Sequence, residues 1–237
     1  MLLVIWEVAS LAGSLSPRIL AAPTTAAVTG FDMLRSGVLG DHLLASAAYF
    51  GLAIGVAAGL ICALIAGLTA LGEALVDGLV QTKRAIPTLA LIPLGIVWLG
   101  IGDAMKVALI ATSVFIPIYI NTHAGLRGID FRYVELAQSL GLRHWEFLRR
   151  VVLPGALPGF LIGLRLAVTM CWTSLVVLEQ INATNGIGYL MNRARDYGQT
   201  DVMVVGLAVY AALGLISDSA VRLLERRALS YRKVLGS

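Results

Sequence analysis

The sequence predicts an all-α integral membrane protein of five or six transmembrane helices, with a polar, basic element projecting on one side. Three observations carry that expectation. The chain of 237 residues is 58% hydrophobic with a mean hydropathy of +0.85, against roughly 45–50% apolar residues in soluble domains. Residues 43–71 contain no charged side chain, and a bilayer core about 30 Å thick needs roughly 20 such residues as helix. The basic residues are unequally shared between alternate connecting segments, which is how multi-pass chains are oriented.

The elements follow from the charges that bound them. Residues 1–15 are apolar except for Glu7 and read as a short first helix; no basic segment precedes them, which disfavours a cleaved signal peptide. The run 43–71 is the first full span. Residues 85–102 lie between Arg84 and Asp103, and 107–125 between Lys106 and Arg127. Residues 155–178 are interrupted only by Arg165, and 202–221 only by Asp218. Pro87, Pro93 and Pro117 fall within or beside two of these spans, where the carbonyls they release must meet neighbouring helices or a water-lined path. Gly51, Ala53, Gly55, Ala57, Ala58 and Gly59 form a small-residue surface for close helix packing. The expected organisation is an N-terminal segment (1–40), a transmembrane domain (41–224) and a basic tail (225–237).

If the segment around Glu135 and the C-terminus share one side, that side carries thirteen Lys and Arg, Arg165, Arg232 and Lys233 among them, and the other carries five: Arg18, Arg35, Lys106, Arg193 and Arg195. The richer side is then cytoplasmic. The net charge of +4 and pI near 9.3 are accounted for by such loops and by anionic headgroups, with no nucleic-acid partner. Cys62 and Cys171 sit in apolar runs, and His42, His123 and His144 lack metal-ligand spacing, so no metal site is expected.

Residues 131–140 read as a short helix with Asp130 as N-cap. Tyr133, Leu136, Ala137 and Leu140 recur at i, i+3, i+4 and i+7 as one apolar stripe, opposite Arg132, Glu135, Gln138 and Ser139. Gly141 suits a left-handed turn ending that helix. Trp145, Phe147 and Leu148 begin a second helix, which enters the membrane past Arg149 and Arg150. The mixed charge of the polar face fits a protein groove better than a headgroup layer, where basic side chains prevail.

Glu135-Leu-Ala137-Gln-Ser-Leu-Gly141, with Val151-Val-Leu153-Pro154 nine residues later, has the spacing E-x-A-x3-G-x9-[IV]-x-L-P. It resembles the cytoplasmic loop of binding-protein-dependent ABC import permeases, which implies a type I importer transmembrane domain. The resemblance implies that this segment is the coupling helix docking into an ATPase subunit. Ala137 would make the close approach, Gly141 the turn and Glu135 a polar anchor, with Leu136, Leu140 and Trp145 on the same contact and Leu153 and Pro154 at the membrane junction. Leu136 stands where the family usually has Ala, and Val151 where it usually has Ile. Arg143 replaces a frequent Ser or Thr, so the second helix is expected to lack its N-cap. The implied assembly is two copies of this chain, two ATPases that bind the ATP and Mg, and a periplasmic binding protein, in a bacterial inner membrane. From roughly 40 to 227, segments such as 84–93, 98–103, 153–158 and 179–189 are similar to permeases for sulfonates, taurine, nitrate and bicarbonate, with 179–201 most similar to the aliphatic sulfonate type.

Ionisable groups inside spans are costly and are functional candidates. Arg165 and Glu179 are candidates for the translocation path or a gate. Arg165 is expected to pair with a backbone carbonyl or near Glu179 across the dimer, or else to guide an anion. Glu179 is expected to fix the loop 182–188, whose Asn182 and Asn185 are candidate contacts for the binding protein. Asp218 and Arg222 have i, i+4 spacing. No phosphate loop G-x-x-x-x-G-K-[ST] occurs. A secondary transporter is the remote alternative, but no internal repeat supports it. No paired carboxylates or nucleophile–base set points to an intramembrane enzyme, so no catalytic residue is expected. Aliphatic sulfonate is the expected substrate, with taurine, nitrate, bicarbonate or a thiamine-precursor pyrimidine as alternatives.

Overall fold

Among the residues that the computed structural model describes (1–17, 19–45 and 49–229), every regular element is helical. Arg18, Arg232 and Lys233, counted above, and all of 230–237 lie outside the described residues. In chain order the helices are α1 Leu2–Leu11, α2 Pro23–Arg35, α3 Val38–Ala45, α4 Tyr49–Leu68, α5 Ala70–Ala85, α6 Ile92–Leu99, α7 Asp103–Arg127, α8 Phe131–Ser139, α9 His144–Phe147, α10 Leu153–Asn182, α11 Ile187–Asp196 and α12 Thr200–Ala228.

Among the described residues, four helical runs are long and apolar enough to cross a bilayer: Gly51–Leu68, Asp103–Arg127, His144–Ile181 and Thr200–Ala228. A bent pair, Ala70–Ala85 with Thr88–Leu99, makes a fifth if it counts as one span. The run 85–102 is therefore not the continuous helix its hydropathy suggested. Pro87 has no N–H and forces its predecessor toward extended backbone; Ile86 obliges with φ −97° and ψ 116°. A 3-10 turn at Thr88–Leu91 follows, and the chain bends by 87°. Helix α5, with Glu73, Asp77, Lys83 and Arg84 among its residues, escaped hydropathy for the same reason that it is amphipathic.

The run 43–71 also ends early. Thr69 leaves helical geometry at φ −138°, and its Oγ1 accepts the N–H of Gly72 at 3.0 Å, capping α5. At the N-terminus the expected short first helix is present as α1, whose 10 residues make about 15 Å of helix. Its Glu7 accepts from Thr24 N at 3.1 Å and Thr24 Oγ1 at 2.7 Å. Ala22, the N-cap of α2, makes no side-chain cap bond, so a carboxylate 17 residues away supplies both the acceptor and the favourable charge at that helix end.

The described chain forms two compact units. Unit 1 comprises Met1–Tyr49, Ile92–Lys106 and Trp172–Leu215; unit 2 comprises Phe50–Leu91, Val107–Cys171 and Ile216–Ser237. In unit 2, Gly51, Gly55 and Gly59 recur every fourth residue and face Ile110, Val114 and Ile118 of α7, all fully buried. A methyl on Gly55 would lie 2.5 Å from the carbonyl oxygen of Ala111. Of the small residues singled out in sequence, these three glycines are buried while Ala53 and Ala57 are exposed. The α7–α10 contact is as close: a methyl on Gly159 would lie 2.3 Å from Asn121 O. Close backbone approach lets van der Waals packing replace the hydrophobic drive that lipid cannot provide. Unit 1 has its own cluster around Leu39, Ile187, Met191 and Tyr210.

Candidate functional site

The element after α7 forms as its residues dictate. Asp130 Oδ1 accepts the N–H of Arg132 at 2.9 Å, so the expected N-cap starts α8. Gly141 has φ +60°, and the N–H of Leu142 reaches Ala137 O at 3.0 Å. That bond over five residues, with a left-handed glycine, closes the helix end as a Schellman turn. Arg143 has no acceptor for capping. The N-terminus of α9 is instead served by Glu146, whose Oε2 accepts the Arg143 N–H at 3.2 Å. Half of a capping box thus survives the missing Ser or Thr.

The apolar stripe does not behave as one face. Ala137 is 6% exposed, whereas Tyr133, Leu136, Leu140 and Trp145 are between 54% and 67% exposed. Ala137 closes over a pocket of about 230 Å³ whose walls include Val134, Leu142 and Phe147. Glu135 is exposed beside Leu136. Beneath this knob, Phe147 and Leu148 pack with Leu64 and Ile129 against Leu126, Val152 and Ala156, so α9 rests on a shared core with α4, α7 and α10, and α8 borders Phe147 through Val134 and Ala137. The chain then passes through a π turn, Leu148–Val152, where Leu153 N–H bonds Leu148 O. The wider turn comes just before Pro154, which has no N–H to continue the ladder. Leu153 and Pro154 border a cavity of about 390 Å³ with Leu60, Leu64, Thr122 and Phe160.

In unit 1, Glu179 is 1% exposed. Its Oε2 accepts Gly188 N–H at 2.8 Å and Tyr210 O–H at 2.9 Å. Gly186 has φ +105°, and a methyl there would fall 2.5 Å from the Glu179 carboxyl carbon. Glycine is required at that point on both counts. Glu179 thereby ties the end of α10 to the start of α11. Thr184 and Asn185 are exposed on that loop; Asn182 ends α10, and its side chain lies outside the described residues.

Residues 55–230 match the family of binding-protein-dependent transport system inner membrane components. The chain belongs to that family. It is a multi-pass permease subunit of an ABC importer, a transport component that works with an ATPase and a substrate-binding protein. The protein of Escherichia coli strain K12 named as the aliphatic sulfonates transport permease SsuC is 46% identical over 94% of this chain and 85% of its own length. The SsuC protein of Bacillus subtilis strain 168 is 37% identical over 98% of this chain and 84% of its own. The taurine transport permease TauC of E. coli is 33% identical over 95% and 85% respectively. The crystal structure of an amino acid ABC transporter with histidines shares the fold, with a TM-score of 0.67 at 21% identity over 83% of this chain and 97% of that one.

Arg165 of the permease is paired, but not where the sequence suggested. Its Nε donates to Asp218 Oδ1 at 2.6 Å, and Arg222 Nε donates to Asp218 Oδ2 at 2.7 Å. Asp218 therefore joins its expected i, i+4 partner to an arginine 53 residues earlier. Arg165 and Glu179, grouped as one candidate set, have separate partners. Sequence reasoning missed Tyr210, His42 and the ion pair of Glu73 with Arg127. Tyr210 lies 31 residues beyond Glu179 and His42 lies 144 before its partner Gly186, distances over which no helical period operates.

Proposed function

We propose that the permease imports an aliphatic sulfonate by alternating access, as a homodimer with two ATPase subunits that hold the ATP and Mg. The observation that carries the substrate is the 46% identity to a protein named for aliphatic sulfonates, extending over 94% of this chain. Taurine and formylaminopyrimidine are the named substrates of relatives at 33% and 30% identity and form the second choice, with nitrate and bicarbonate after them.

In this proposal residues 41–224 are the transmembrane domain, and the Glu135 segment and the C-terminus face the cytoplasm. Glu135, Leu136, Ala137, Leu140, Gly141 and Trp145 form the docking knob. Exposed Leu136, Leu140 and Trp145 support it, since large apolar groups at a polar boundary mark partner contacts. ATP binding closes the ATPases, and the shared core under Phe147 carries the motion of the knob into α4, α7 and α10. Leu153 and Pro154 are where that motion enters the membrane. Arg165, through Asp218, belongs to a charged cluster near the cytoplasmic end of the path; Glu179 holds the outer loop, on which Asn182 and Asn185 meet the binding protein. The remaining exposed apolar helix faces meet lipid or the second copy.

The test is growth of a strain lacking this gene on an alkanesulfonate, taurine or sulfate as the only sulfur source. Growth lost on alkanesulfonate alone, and restored by the intact gene, supports the proposal. Unchanged growth on every source in a strain with no redundant importer rules the sulfonate out.

A further inference from the structure

Unit 1 contains a cavity of about 420 Å³ that none of the candidate residues above lines. Its lining divides by chemistry. Arg193 stands on α11 with Tyr189 four residues before it and Tyr197 four after, so helical spacing brings all three together. The guanidinium carbon lies 5.8 Å from the Tyr189 ring centroid and 5.9 Å from that of Tyr197. The guanidinium also bonds the side chains of Tyr197 and Tyr189, and with five N–H donors it retains others for an oxyanion.

His42 supplies a second donor. Its Nδ1 accepts the Gly186 N–H at 3.1 Å. A nitrogen that accepts carries no proton, so the neutral ring bears its proton on Nε2. The ring lies 6.4 Å from that of Tyr189. Among the described residues no carboxylate lines the cavity. The neighbouring Asp196 is engaged by Arg195 at 3.5 Å, and Glu179 by Gly188 and Tyr210. Val38 and Leu190 provide apolar wall. A cation, a neutral donor, aromatic faces and aliphatic wall in one concavity of ligand size suit an anion that carries a short hydrocarbon chain.

We propose that this cavity receives the substrate as it leaves the binding protein: the sulfonate head on Arg193 and His42, the alkyl chain on Val38 and Leu190. The assignment rests on the aliphatic sulfonate reading above. It also gives occupancy a route to the outer loop, because His42 is bonded to the same Gly186 that lies against Glu179.

The probe is 1-butanesulfonate, and the sample is the complete permease–ATPase complex in nanodiscs, without and with the binding protein. Wild type should bind the probe saturably without the binding protein. Arg193→Gln should weaken that binding at least tenfold and raise the half-saturating concentration for uptake in proteoliposomes. Arg193→Lys, which keeps the charge but not the planar edge, should fall between, and it serves if Arg193→Gln fails to assemble. Tyr189→Phe, which keeps the ring but loses the hydroxyl bonded to Arg193, should weaken probe binding by less than Arg193→Gln does. Docking of the substrate-free binding protein should be unchanged by all three. Binding and uptake within twofold of wild type in Arg193→Gln overturn the site. So does a loss of binding-protein docking with probe binding intact, which would make Arg193 a partner contact. Wild-type complex that takes up another solute but not 1-butanesulfonate overturns the substrate reading itself, whereas wild-type uptake with an indifferent Arg193→Gln overturns only the cavity.

Discussion

The Glu179 carboxylate accepts the backbone N–H of Gly188 from nine residues further along the chain, at 2.8 Å, inside a site where Glu179 is 1% exposed. One side chain at the end of a spanning helix thereby sets the course of the loop that follows it. Tyr210, from α12, donates to the same oxygen at 2.9 Å.

Removing that acceptor should cost more than removing either donor alone. Hydrogen bonds to charged groups contribute about 1.5–3 kcal/mol, so Tyr210→Phe is expected to lower stability by about that amount. Glu179→Ala should lower it further, since it orphans both the Gly188 N–H and the Tyr210 hydroxyl. Thermal unfolding of the detergent-solubilised permease ranks the two, and a larger shift for Tyr210→Phe would contradict the arrangement.

Gly141 offers a separation of shape from charge. Its φ is +60°, yet a methyl there would meet nothing within 4 Å, so only backbone strain of about 1–2 kcal/mol opposes a side chain. Asn and Asp tolerate that geometry better than other residues. Gly141→Asn should therefore keep most transport, while Gly141→Asp, of nearly equal shape, should insert normally and fail in transport because it places a charge in the proposed ATPase contact. Equal transport by the two variants would remove Gly141 from that contact.

Trp145 is 67% exposed, so its truncation should leave the permease itself within about 0.5 kcal/mol of wild type. Exposed aromatics at interfaces commonly contribute 2 kcal/mol or more to binding. Trp145→Ala is expected to show an unaltered melting temperature and at least tenfold weaker assembly with the ATPase subunit, measured by surface plasmon resonance. A melting shift without an assembly defect would return Trp145 to a structural role.

Asp218 serves two arginines, Arg165 at 2.6 Å and Arg222 at 2.7 Å. Asp218→Asn should thus lower membrane accumulation and thermal stability more than Arg165→Gln, which strips one partner only. The double variant should be less damaging than the sum of the singles, because the charge left over by one change is removed by the other. Strict additivity in that cycle would show that the pair is not coupled.

Glycines in unit 2 should divide by what surrounds them. A methyl on Gly159 would lie 2.3 Å from the Asn121 backbone oxygen, whereas one on Gly78 would meet nothing within 4 Å. Gly159→Ala is expected to cost about 1–3 kcal/mol, the usual penalty of overpacking, and Gly78→Ala to be neutral or stabilising through helix propensity. Comparable melting temperatures for both would mean that α7 and α10 separate more easily than their glycines suggest.

What the sequence by itself determined was whatever depends on near neighbours. Runs without charge located four of the long helices, because desolvation acts residue by residue. The cap at Asp130, the turn at Gly141 and the pairing of Asp218 with Arg222 all operate within one or two helical turns, and each appears where spacing put it. The break at Pro87 was visible as a proline, but hydropathy averages over it and so hid both the 87° bend and α5. Tertiary structure alone decided which residues meet across the fold. The partners of Arg165, Glu179 and His42 lie 53, 31 and 144 residues away, and it was packing that buried Ala137 while leaving Leu136 and Leu140 outside. Local periodicity ranks the faces of a helix by polarity. Only the positions of neighbouring helices determine which face is covered.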